Sequence, residues 1–140
     1  MTMIGDALTD VAVLQGLGSL SCLVTLDRQG NNLHRLPILS CLTNLRYLTL
    51  ENCKDLEEVP DLPTSLMRLV VNHCTALERM PNFSDMENMR ELHLRYSNKL
   101  TQIPGLNKSL SSIEMIHLEG CTCLTDTFKH SSLKVLSNFV

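Results

Sequence analysis

From Leu45 the chain reads LRYLTLENCKDLEEVP, with apolar side chains at Leu45, Leu48, Leu50, Leu56 and Val59 and polar ones between them. Over its whole length this spacing matches neither the 3.6-residue period of a helix nor the strict alternation of a strand. The pattern returns. From Leu66, LMRLVVNHCTALERMP places Leu66, Leu69, Val71, Leu77 and Met80 at the same steps. From Met89, MRELHLRYSNKLTQIP does so with Met89, Leu92, Leu94, Leu100 and Ile103. From Ile113, IEMIHLEGCTCLTDTF keeps Ile113, Ile116, Leu118 and Leu124 but loses the closing proline. Upstream, LVTLDRQGNNLHRLP is a copy one residue shorter, with Leu23, Leu26, Leu33 and Leu36. The five copies start 21 to 24 residues apart.

A fixed period of that size is the mark of a stacked repeat, and about 20–29 residues is the leucine-rich-repeat range. Within each copy LxxLxL ends in alternation, which predicts a short strand with its leucines inward and the residues between them outward. One copy cannot bury its own leucines, so neighbours must stack and the strands must pair in parallel. The expected fold is an α/β solenoid of about five repeats. It is an arc with a short-stranded parallel sheet on its concave face and a mostly irregular or 3-10 convex side. Repeats are expected over 23–128, with a degenerate partial repeat over 1–22 and a truncated further repeat or tail over 129–140. PDLPTSL makes the tightest return, whereas PILSCLTNL, PNFSDMENM and PGLNKSLSSI leave room for a helical turn that Ser84 or Asp85 would cap.

This register names the outward side chains. Thr25, Asp27 and Gln29 come first, then Tyr47, Thr49 and Glu51, then Arg68, Val70 and Asn72. Glu91, His93 and Arg95 follow, and Met115, His117 and Glu119 complete the grid. The concave grid is where a solenoid binds its partners, so the last twelve of these residues are the expected protein-binding positions. Tyr47 and Met115 are the expected apolar contacts. His93 and His117 share a column, but with no third ligand beside them a metal site is not expected.

Cys53, Cys74 and Cys121 occupy one repeat position, held by Asn31 and Ser97 in the other copies. A small donor there can serve the backbone carbonyls of a neighbouring coil, so these cysteines read as buried, reduced and structural. Cys22, Cys41 and Cys123 fall outside the column and are expected at the surface. The chain has 140 residues, 44% hydrophobic but only 4% aromatic and without tryptophan, which suits a thin leucine core. A net charge of −3 without a basic block gives no reason to expect nucleic acid. No apolar run approaches the roughly 20 residues of a membrane helix, and no signal peptide is recognisable. The expected location is the cytoplasm, with the nucleus also open to the chain. No nucleophile–base pair, phosphate loop or metal motif occurs, so neither enzymatic activity nor a cofactor is expected.

The stretch LRYLTLENCKDLEEVPDLPTSLMRLVVNHCTALERMPNFSDMENMRELHL, continued by LTQIPGLNKSLSSIEMIHLEGCTCL, resembles the repeats of plant intracellular immune receptors. The similar class joins a Toll/interleukin-1-receptor-like domain and a nucleotide-binding domain to leucine-rich repeats. The resemblance implies a recognition module that senses a pathogen effector or a guarded host protein and restrains the receptor core. The implied partners are that protein ligand and the nucleotide-binding core of the parent receptor. The chain has no signalling domain and no nucleotide site, and neither end carries a clear polar cap, so a fragment, a truncated product or partner-covered ends are expected. The rival reading is the substrate-recruiting repeat segment of a ubiquitin ligase. IEMIHLEGCTCLTD resembles the F-box type, and PDLPTSLMRLVVNH the bacterial effector type.

Overall fold

The computed structural model describes residues 2–4 and 21–124. Its six strands are β1 (Thr2–Ile4), β2 (Thr25–Asp27), β3 (Tyr47–Thr49), β4 (Arg68–Val70), β5 (Glu91–His93) and β6 (Met115–His117). They form one sheet in chain order, every neighbouring pair parallel. The chain therefore winds as a β-solenoid, with four turns between β2 and β6.

The leucines explain why. Leu45, Leu48, Leu50 and Leu56 of one coil are fully buried against Leu66, Leu69, Val71 and Leu77 of the next. Further along each coil Val59, Met80 and Ile103 close the core, and Leu39, Leu62, Phe83 and Leu106 enter it two residues after each proline. Burying each such side chain stabilises the fold by about 1.5–3 kcal/mol, and nearly all of that arises between coils.

Among the coils that start at Leu45, Leu66 and Met89, differences in length are absorbed on the return side. There, i→i+3 bonds turn the chain, as from Leu42 N to Leu39 O at 3.0 Å and from Met86 N to Phe83 O at 3.1 Å. The longest return carries a four-residue helix, α1 (Leu106–Ser109), behind Gly105 in a left-handed conformation with φ 72°. A side chain at Gly105 would collide with the Asn82 and Ser84 side chains. Asn82, rather than Ser84 or Asp85, accepts the local backbone hydrogen bond, from Ser84 N at 2.9 Å.

Two departures from the leucine pattern stand out. β1 adds a strand before the first recognised copy, pairing Met3 with Leu26. Only Met3 and Ile4 mark it in sequence, so the leucine steps did not reveal it. Residue 1, residues 5–20 and everything after 124 lie outside the described residues, including the expected tail over 129–140. Secondly, Arg28 occupies an inward step that Leu50, Val71 and Leu94 hold elsewhere, and it is 2% exposed. Among the described residues no helix is long and apolar enough to cross a membrane.

Candidate functional site: the outward face of the sheet

The register sets the outward residues in rows across the strands. Thr25, Tyr47, Arg68, Glu91 and Met115 make the first row, and Asp27, Thr49, Val70, His93 and His117 the second. Beyond the strands the ladder continues through a third row. Gly30 N donates to Glu51 O, Asn52 N to Asn72 O, His73 N to Arg95 O and Tyr96 N to Glu119 O, all within 2.7–2.9 Å. All twelve sequence-predicted positions therefore lie on one face.

They are not equally open. Tyr47 and Met115 are 41% and 42% exposed and bracket the Arg68–Glu91 ion pair in the first row. Val70, Asn72 and His93 keep the outward register but are only 7%, 8% and 9% exposed, so as contact positions they offer little area. The causes are local. Asn72 Oδ1 turns down to accept Arg95 N at 2.9 Å. His93 lies under the His117 ring, with centroids 4.8 Å apart, and Val70 sits beside it in register.

Charge is distributed unevenly on this face. On β4–β6 it is internally paired: Arg68 Nε to Glu91 at 3.1 Å, and Arg95 Nε to Glu119 at 3.0 Å. His93 Nε2 donates to Glu91 Oε2 at 3.2 Å, and His117 Nδ1 stands 2.8 Å from Arg95 Nη2. Burial holds the His93 pKa below its ordinary 6.5, reinforced by the His117 ring and Arg68, while its bond to Glu91 works the other way. At Glu119 burial favours the neutral acid, but hydrogen bonds from its own backbone, His117 and Arg95 outweigh it and lower the pKa. The Arg68–Glu91 and Arg95–Glu119 pairs are solvent-facing and contribute at most about 1 kcal/mol each. Their effect is to settle side-chain positions across the coils. Among the described residues no three His, Cys, Asp or Glu side chains gather as a metal set.

Behind the face runs the cysteine column. Cys53 donates to Arg28 O at 3.2 Å, Cys74 to Leu50 O at 3.1 Å, Ser97 to Val71 O at 3.1 Å and Cys121 to Leu94 O at 2.7 Å. Each reaches the last inward residue of the preceding coil. Burial raises all three thiol pKa values, that of Cys74 to about 12, so these groups stay protonated donors. Cys22, Cys41 and Cys123 are exposed.

One column escaped the leucine reading. Directly after the third outward row stand Gly30, Asn52, His73, Tyr96 and Gly120, all left-handed with φ of 68, 60, 58, 59 and 76°. Glycine and asparagine adopt this conformation readily, whereas His and Tyr are strained by roughly 1–2 kcal/mol. The His73 and Tyr96 rings stack at 4.8 Å and 17°, and a side chain at Gly120 would strike the Tyr96 ring. The usable signal was a Gly or Asn just before the Asn/Cys/Ser column, and His73 and Tyr96 disguised it.

Two curated proteins of Arabidopsis thaliana are similar to part of this chain. The disease resistance-like protein DSC1 is 40% identical over 63 residues, 44% of this chain. The disease resistance protein RPP5 is 40% identical over 68 residues, 46% of this chain. The chain spans about 5% of the length of each. No protein-family model matches it. The chain thus contains a region related to plant disease resistance proteins.

Proposed function

We propose that the chain is the leucine-rich-repeat recognition segment of a plant disease resistance receptor, of the class with a Toll/interleukin-1-receptor-like domain. In this reading the sheet is the concave face of the repeat arc. It binds a protein ligand, either a pathogen effector or a guarded host protein, and docks on the nucleotide-binding core to restrain it at rest. The chain is a cytoplasmic binding module, not an enzyme, and needs no cofactor. The observation that carries this is the outward face itself. It is continuous over the paired strands, open at Tyr47 and Met115, and built in a chain with a region similar to two disease resistance proteins.

The test has two arms. Sequencing the transcript outward from both ends should find an upstream, in-frame G-x-x-x-x-G-K-[ST] nucleotide-binding domain. An F-box upstream, or a catalytic ligase domain downstream, would instead move the segment to a ubiquitin ligase. Proximity labelling in leaf tissue then compares the wild-type chain with Tyr47→Ala/Met115→Ala and with Ile38→Ala, which alters an exposed residue off the sheet. Loss of the same neighbours in the face variant alone supports recognition through this face. Identical neighbours in all three would refute it.

A further inference from the structure

His117 Nδ1 has two neighbours that make opposite demands. Arg95 Nη2, at 2.8 Å, can only donate, so it needs an unprotonated Nδ1. Glu119 Oε1, at 3.2 Å, can only accept while ionised, so it needs Nδ1–H. One nitrogen cannot satisfy both at once. Arg95 is meanwhile anchored to the other oxygen of the same carboxylate, through Nε to Glu119 Oε2 at 3.0 Å. The second ring, His93, packs on His117 at 4.8 Å and gives its Nε2–H to Glu91. Four charged side chains face the two rings: Arg68 from β4, Glu91 on β5, Arg95 just after β5 and Glu119 just after β6.

We propose that His93 and His117 form a one-proton switch that sets the position of Arg95. A proton taken up from solvent at His117 turns Nδ1 from accepting Arg95 to donating to Glu119, and the free end of the Arg95 guanidinium swings off the pair. No covalent bond forms or breaks. The proton goes to His117 because that ring is the more open, with its side chain 25% exposed against 11% for His93. His93 lies buried, and its charged form would lose hydration and face a charged neighbour 4.8 Å away. Burial accordingly depresses its pKa. The pair therefore holds one proton rather than two. Acidification adds one charge to this end of the sheet face and presents a guanidinium that is otherwise tied down. Since the switch depends only on contacts within the chain, it holds whether or not the face binds a protein ligand.

The test uses the whole 140-residue chain, labelled with 15N and 13C. Long-range imidazole spectra and the Arg95 Nε–Hε signal are followed from about pH 8 to about pH 5, the range in which histidines change charge. At the upper end His117 should be the Nε2–H tautomer, with Nδ1 accepting. On acidification His117 alone should become protonated, and the Arg95 signal should move with the same midpoint while His93 stays neutral. The proposal is overturned if the two histidines titrate together or in the opposite order. It fails equally if His117 carries its proton on Nδ1 above the transition, or if the Arg95 signal does not follow it.

Discussion

Ser97→Ala isolates what the cysteine column does. Ser97 is fully buried, and its hydroxyl donates to Val71 O at 3.1 Å. Among the described residues no other donor reaches that carbonyl. The substitution removes one small oxygen, so the cavity it leaves is minor and the chief loss is the hydrogen bond. A buried acceptor left without its donor costs about 1–3 kcal/mol. With an unfolding entropy of about 2.1 cal/mol/K per residue, 140 residues give about 0.3 kcal/mol/K. The melting temperature should then fall by roughly 3–10 °C. The chain lacks tryptophan, so urea and thermal unfolding are best followed by far-UV circular dichroism. Ser97→Cys supplies the control. It installs the donor that Cys53, Cys74 and Cys121 use at this place, and it should recover at least half of the loss. If Ser97→Ala costs less than about 0.5 kcal/mol, inside the range of ordinary surface changes, the column is filler and the argument fails.

The other expectations are more direct. Leu69→Asp places a charge at a site with no solvent exposure, worth several kcal/mol, and should abolish the far-UV signal of the folded chain; a folded variant would mean the inward register is misassigned. Gly105→Ala forces a side chain into a φ of 72° and into Asn82 and Ser84, and should cost at least about 1–3 kcal/mol in urea unfolding. A thiol-reactive reagent near pH 8 should modify Cys22, Cys41 and Cys123 in the native chain, and Cys53, Cys74 and Cys121 only after unfolding; rapid native labelling of Cys74, whose pKa is about 12, would contradict its burial. Because the folded pKa of His93 is lowered, the unfolded chain binds the extra proton first. Its contribution to stability is therefore intact above about 6.5 and lost as pH falls toward the lower folded value. Thermal melts of the wild type and His93→Phe should therefore differ in pH slope across that window and run parallel above it, and equal slopes within the window would contradict the shift.

Much of the fold was legible because it rests on side chains whose burial is obligatory. LxxLxL states its own inside and outside, and stacking identical steps sets the outward side chains in rows, with Tyr47 beside Arg68 and Glu91 beside Met115. The cysteine column was legible for the same reason: one chemistry, a small donor, recurs at one place. What stayed hidden depends on backbone conformation or on neighbours. β1 carries one clear apolar match, Met3. A left-handed turn can be filled by Gly30, Asn52, His73, Tyr96 or Gly120, which share no side-chain property. A second ladder, in which Asn44 donates to Ser21 O at 2.7 Å and Asn88 to Thr64 O at 2.9 Å, uses residues that pass for ordinary loop asparagines. The openness of the face was hidden too, since outward register says nothing of what leans over Val70 or His93.

The two kinds of column divide the work of the solenoid. Inward columns gain from similarity, because each coil must offer its neighbour a surface of matching shape, and Arg28 is the charged exception at a step held elsewhere by Leu50, Val71 and Leu94. Outward columns are released from that demand, and they vary from Thr to Tyr to Arg to Glu to Met along a single row. Yet the outward face is not free of structure. From β4 to β6 its charges are bound to one another, so changing Glu91 or Glu119 alters the position of a partner in the adjacent coil. At β2 and β3, Tyr47 and Thr49 enter no such network. A substitution at Tyr47 can therefore change what the face contacts without first rearranging the face, whereas one at Glu119 changes Arg95 and His117 before any partner arrives. Effects of the first kind should add, and those of the second should couple, which makes double substitutions across β5 and β6 the means of telling recognition from support.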